Sequence, residues 1–156
     1  METGTIIIGI AIFILIFIPL VLAQTKRKNE EKVILNKLLK TAKDKWCTIE
    51  QYDIWNQSAI GIDSTNKTLF FIEAPTKEAV QINLNTIKQC RIVNASRVLE
   101  NEDIEPMAVR KLELSFIKTH PEDEIRILFF DANISLQVDE ELKLIKKWHI
   151  IIAKTL

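Results

Sequence analysis

The run IIIGIAIFILIFIPLVL, residues 6–22, limits this chain more than any other feature. Its seventeen residues carry no charge and no polar face. A helix rises about 1.5 Å per residue, so a helical Ile6–Ala23 spans roughly 27 Å, close to a bilayer core of about 30 Å. Gly9 and Pro19 are tolerated in such a helix. The segment 1–23 therefore reads as a transmembrane anchor, with Ile6, Ile7, Ile8, Leu15, Phe17 and Leu22 among its transmembrane residues. A cleaved secretory signal is the alternative. It would normally have a shorter apolar region behind a positive start, whereas the only side-chain charge here is Glu2. Val21-Leu22-Ala23 is the one feature that suits a signal peptidase.

Charge sets the orientation. Lys26, Arg27, Lys28 and Lys32 follow the apolar run as membrane-surface residues. The positive-inside rule then places the amino end outside, and the remainder in the cytoplasm at the inner membrane. From Gln24 to Trp46 there are eight basic and three acidic residues; from Cys47 onward there are thirteen basic and seventeen acidic. A basic stalk, 24–46, thus precedes a mildly acidic region, 47–156, long enough for one domain. A nucleic-acid binder would carry its positive charge on the folded part, so no nucleic acid is expected as partner. In a cytoplasmic setting Cys47 and Cys90 are free thiols.

The stalk has helical spacing, with Val33, Ile34, Leu38 and Ala42 on an apolar stripe and Trp46 at its end. The stalk reads as a continuation of the membrane helix into the cytoplasm, with no Pro or Gly between Leu20 and Ala59, and its stripe has three destinations: the sheet of the domain itself, a partner helix or the bilayer surface. Beyond it the period turns towards two. CTIEQYDIW reads as a strand, and AIGI-DSTNK-TLFFI as a hairpin in which Gly61 marks a bulge or a close approach. AVQINL is a further strand, and TIKQCRIV another with imperfect alternation. LELSF and IRILFF form a last pair of strands around THPEDE. Helical spacing then returns in VDEELKLIKKWHIIIAKTL. Ile145 and Ile152 lie on its apolar stripe with Trp148 beside them, acidic residues fill the first turn, and Lys154 is in the last. Four Asn-X-Ser/Thr sequences, at Asn56, Asn66, Asn94 and Asn133, read as turns. The expected fold is an N-terminal transmembrane helix followed by an α+β domain. The domain is a seven-stranded antiparallel barrel or sandwich closed by a C-terminal helix carrying Trp148 as structural anchor.

Seven strands closed by one terminal helix with a Trp resembles the pleckstrin-homology superfold, through AIGIDSTNKTLFFI, LELSF…IRILFF and ELKLIKKW. The whole chain, through METGTIII, WNQSAIGID and LNTIKQCRIVNASR, also resembles a group of single-span membrane proteins of Bacteroidetes-type bacteria, a likeness that brings no activity with it. The superfold implies phosphoinositide binding through Lys and Arg in the first inter-strand loop. Here that loop is DIWNQS, which has neither, so no specific phosphoinositide is expected.

Catalytic patterns are not evident. His120 sits in a polar turn, and His149 on the terminal helix reads as structural. Cys90 reads as a small core residue, and Cys47 has no basic partner except Lys45. DSTNK lacks the Gly and Glu of a calcium loop, and three glycines do not make a phosphate loop. The expectation is a membrane-anchored binding or scaffolding module, without enzymatic activity or cofactor. It is held by the bilayer and meets a protein partner there. The alternative is an accessory structural subunit of an inner-membrane complex that makes its contacts through anchor and stalk.

Overall fold

A computed structural model describes residues 25–74, 76, 78–94, 110–119, 124–133 and 139–156. The expected span, Ile6–Leu22, lies outside them, as does His120. Among the described residues no helix is long and apolar enough to cross a membrane.

The alternating segments form two antiparallel sheets. The first is a meander of β1 (Gln51–Trp55), β2 (Ser58–Asp63), β3 (Thr68–Glu73) and β4 (Glu78–Asn83). A 3-10 turn at Leu84–Thr86 carries the chain to the second, a meander of β5 (Ile87–Asn94), β6 (Lys111–Lys118) and β7 (Glu124–Asp131). A helix over residues 25–43, α1, precedes the sheets, and α2 (Asp139–Thr155) follows them. The described residues thus form an α+β domain of seven strands in two sheets with a C-terminal helix.

The main core lies between the sheets and under α2. Ile60, Ile62, Leu69 and Phe71 from the first sheet meet Leu112, Leu114, Phe116, Ile127 and Phe129 from the second. Ile145, Trp148 and Ile152 of α2 close the end, all at 0% exposure, as the helical stripe requires. The stripe is centred on Trp148, and His149 is only half-buried, its Nε2 lying 3.2 Å from the Cys90 carbonyl.

A second core lies on the opposite face of the first sheet. Ile34, Leu38 and Ala42 of α1 pack there on Ala59, Phe70 and Ile72, with Ile49 and Ile54 at the margin. The stalk stripe is therefore spent on the domain's own sheet. Gly61 shows why the helix comes so close. A Cβ there would lie 3.0 Å from Ile49 side-chain atoms and 3.1 Å from Leu38 Cδ2, so the position marks a close approach.

Two members expected on the stalk stripe are not on it. Val33 is exposed because it sits about 100° around the helix from Ile34. Trp46 is 94% exposed, because the helix has already ended. The Cys47 amide donates to Ala42 O and the Trp46 amide to Lys43 O, both at 3.0 Å, with Trp46 at φ 59°. This is a Schellman stop with Trp in the left-handed position.

The imperfect alternation of β5 also has a cause. A bulge between Ile87 and Gln89 leaves Lys88 outside the register, so that both Ile87 and Cys90 point inward. Of the four Asn sequences, those at Asn56, Asn66 and Asn133 are in turns. Asn94 is instead the last residue of β5, where ladder pairing with Leu112 holds it extended.

Candidate functional site

Among the described residues β1 is an edge strand, paired only with β2. Trp55 pairs with Ser58 across a two-residue turn in which Asn56 and Gln57 have φ of 41° and 63°, the signs of a type I′ hairpin. In such a hairpin the pair flanking the turn exchanges both backbone bonds, and the next pair none. Trp55 and Asp53 therefore address β2 with their backbone groups, and Ile54 and Tyr52 present theirs to the free edge.

The side chains alternate in step. Asp53 and Trp55 point inward. Trp148 Nε1 donates to Asp53 Oδ2 at 2.8 Å, and Lys147 Nζ lies 2.6 Å from the same oxygen. The Trp55 ring stacks on Phe129 at 4.6 Å, and its Nε1 donates to the Phe129 carbonyl at 3.0 Å. At the hairpin tip, Asn56 Nδ2 donates to the buried Glu141 at 2.6 Å. These bonds tie β1 to α2 and β7.

Tyr52 and Ile54 point the other way, towards α1. With Lys28, Glu31, Lys32 and Leu35 they line a cleft of about 380 Å³. A second recess of about 270 Å³ continues from Arg27 and Ile34 to the hairpin tip at Asn56 and Gln57. Chemically the cleft offers an apolar floor, strand amides and carbonyls that are unpaired among the described residues, and charges of both signs at its rim. Of the expected membrane-surface residues, Lys26 is exposed on α1, and Lys28 and Lys32 are at this cleft. Arg27 turns towards Glu31, at 3.4 Å, and the hairpin tip. Sequence reasoning identified the lysines but missed Tyr52, Ile54 and Leu35. Only the strand order and the docking of α1 bring these together.

The other reactive groups are occupied structurally. Asp63 is 1% exposed, and burial works against its ionisation. Hydrogen bonds from the Asn66 amide and side chain and from the Thr48 amide, each at 2.7 Å, outweigh burial and hold its carboxyl below the usual range. The DSTNK turn is thus organised around that carboxylate. Burial pushes the Cys90 thiol up to about 12. Burial and the Asp63 carboxylate also raise Cys47. On the outer face of the second sheet, Arg126 and then Ser115 hydrogen-bond Glu124 and lower its pKa. Among the described residues no group of three or more His, Cys, Asp or Glu is placed to hold a metal ion.

Compared with protein-family models, curated proteins and solved structures, the chain gives no match.

Proposed function

We propose that this chain is a membrane-anchored binding module. In this reading residues 6–22 hold a pleckstrin-homology-like domain on the cytoplasmic side of the inner membrane, where it takes an extended segment of a protein partner. The four-plus-three strand arrangement with a closing helix supports the fold assignment. The apolar run and the lysines after it support the anchor and its orientation.

The observation that carries the binding reading is the free edge of β1 beside an apolar-floored cleft. An added strand would bond to the backbone of Tyr52 and Ile54, and its alternate side chains would enter the cleft against Leu35. The edge is already held straight by Asp53 and Trp55, so little ordering is needed on the protein side. Lipid-headgroup recognition has less support. The first hairpin turn is two residues long and without a basic side chain, and the carboxylate of Glu141 stands beside it.

Proline at position 52 provides the test. The Tyr52 amide faces away from β2, so Tyr52→Pro removes an edge donor without breaking the ladder. Partners recovered from membranes with the full chain should be lost with Tyr52→Pro and kept with Tyr52→Phe. Partners that persist with Tyr52→Pro but depend on residues 6–22 assign the accessory-subunit role instead.

A further inference from the structure

We infer that α1 lies flat on an anionic bilayer surface, with Trp46 inserted at the lipid interface, so that the domain is held in one fixed orientation. The inference rests on the membrane-anchor reading above and adds to it the geometry of the tethered domain.

The argument starts from which side of α1 is spent. Ile34, Leu38 and Ala42 are buried on the first sheet, which fixes the helix about its own axis. The carboxylates Glu30 and Glu31 fall on the sheet-side flank and are half-buried. The outward side carries Lys26, Lys32, Lys40 and Lys43, all exposed, with Asp44 in the turn beyond. Among these lysines stand Val33 and Leu39, 63% and 41% exposed, and Trp46 follows at the end. Basic residues interleaved with exposed aliphatic and aromatic ones are what an interfacial helix presents to acidic lipid.

Trp46 adds an independent observation. It occupies the left-handed position of a Schellman stop, where glycine fits without steric cost and a large side chain does not. At 94% exposure, contacts within the described chain do not offset that cost. Tryptophan has a preferred location at the headgroup level of a bilayer.

The occupant is set by continuity of the chain. The apolar run ends at Leu22 and the described part of α1 opens at residue 25, so this face of the helix lies next in sequence to the bilayer anchor. Nineteen helical residues reach about 28 Å. An upright α1 would carry Leu39, Lys40, Lys43 and Trp46 away from lipid, whereas a flat one places all of them on it.

The experiment uses the full chain reconstituted in phosphatidylcholine vesicles with or without phosphatidylglycerol, with brominated acyl chains as quencher. Flotation with the vesicles reports the anchor. Quenching that is present in the parent and lost in Trp46→Phe reports insertion of Trp46, because Trp148 is buried and Trp55 is half-buried with its ring stacked on Phe129. The expected result is flotation together with Trp46-dependent quenching in the anionic vesicles, weakened by Lys40→Glu/Lys43→Glu. Flotation without such quenching overturns the flat arrangement and leaves the anchor standing. Failure to float overturns both. Trp46 shielded from aqueous acrylamide in detergent, in a concentration-dependent way and without lipid quenching, assigns the face to a second copy and overturns the lipid reading.

Discussion

The indole Nε1 of Trp148 donates to Asp53 Oδ2 at 2.8 Å, joining the closing helix to the edge strand across 95 positions of sequence. The bond sets two things together. It seats α2 on the open end of the sheets, and it holds β1 in the register that leaves Tyr52 and Ile54 facing the cleft.

Truncating Trp148 should therefore be among the most damaging single changes. Trp148→Ala is expected to cost about 3–5 kcal/mol by urea unfolding, a large part of an ordinary domain's stability. Trp148→Phe keeps most of the ring and leaves Asp53 with Lys147 alone. It should cost about 1–3 kcal/mol. If the Phe variant matches the parent, the indole bond contributes nothing.

Two adjacent leucines test the docking of α1. Leu38 is fully buried on the sheet, and Leu39 is 41% exposed. Leu38→Ala should lose about 2–5 kcal/mol. Leu39→Ala in detergent should stay within about 0.5 kcal/mol of the parent. Equal effects at the two positions would mean that α1 is not seated as described.

Asp63 predicts an acid limb. Its folded pKa is held below the unfolded value of about 3.9, so its contribution is complete above that pH and disappears as pH falls through the folded pKa. Stability should decline below about pH 4. Glu124, also lowered, acts in the same window, so the comparison is between parent and Asp63→Asn. The variant should be less stable at neutral pH and should show a shallower acid limb. Parallel pH profiles would remove Asp63 as a source.

The first hairpin should accept a stabilising change. Gln57 sits at φ 63° in the second position of its turn, where the type I′ geometry prefers glycine. Gln57→Gly is expected to raise stability by about 0.5–1 kcal/mol, the relief of left-handed strain less the added chain entropy. The check is a shift of the urea midpoint to higher concentration; a shift to lower concentration contradicts the assignment.

Buried thiols should react slowly. Burial holds Cys90 at a pKa of about 12, so its thiolate is scarce at neutral pH. In the native protein, disulfide reagents should label Cys47 before Cys90. The reverse order would place Cys90 outside the core.

Much of the architecture was legible in the chain itself. Leu112, Leu114 and Phe116 alternating with Lys111, Glu113 and Ser115 read as a strand, although Ser115 is buried, and Ile145, Trp148 and Ile152 read as one side of a helix. The seating of α1 also has a mark in the sequence. Ala59-Ile60-Gly61-Ile62 and Leu69-Phe70-Phe71-Ile72 are apolar on both faces, the composition of a sheet covered on both sides. The candidate site was less legible. Tyr52, Ile54 and Leu35 come from separate elements, and nothing local to any of them marks β1 as an edge.

The sequence by itself determined the periods, the turns and the apolar faces, because these depend on steric and hydration preferences within a few residues. It also determined the charge-free run 6–22 and the basic stretch behind it. The tertiary structure decided where each face goes. Ile34, Leu38 and Ala42 could equally have met lipid; the shallow seat over Gly61 on an otherwise apolar sheet face took them, because burial there removes two apolar surfaces from water at once. Only that choice turned the lysines of α1 and Trp46 outward and opened a cleft beside β1.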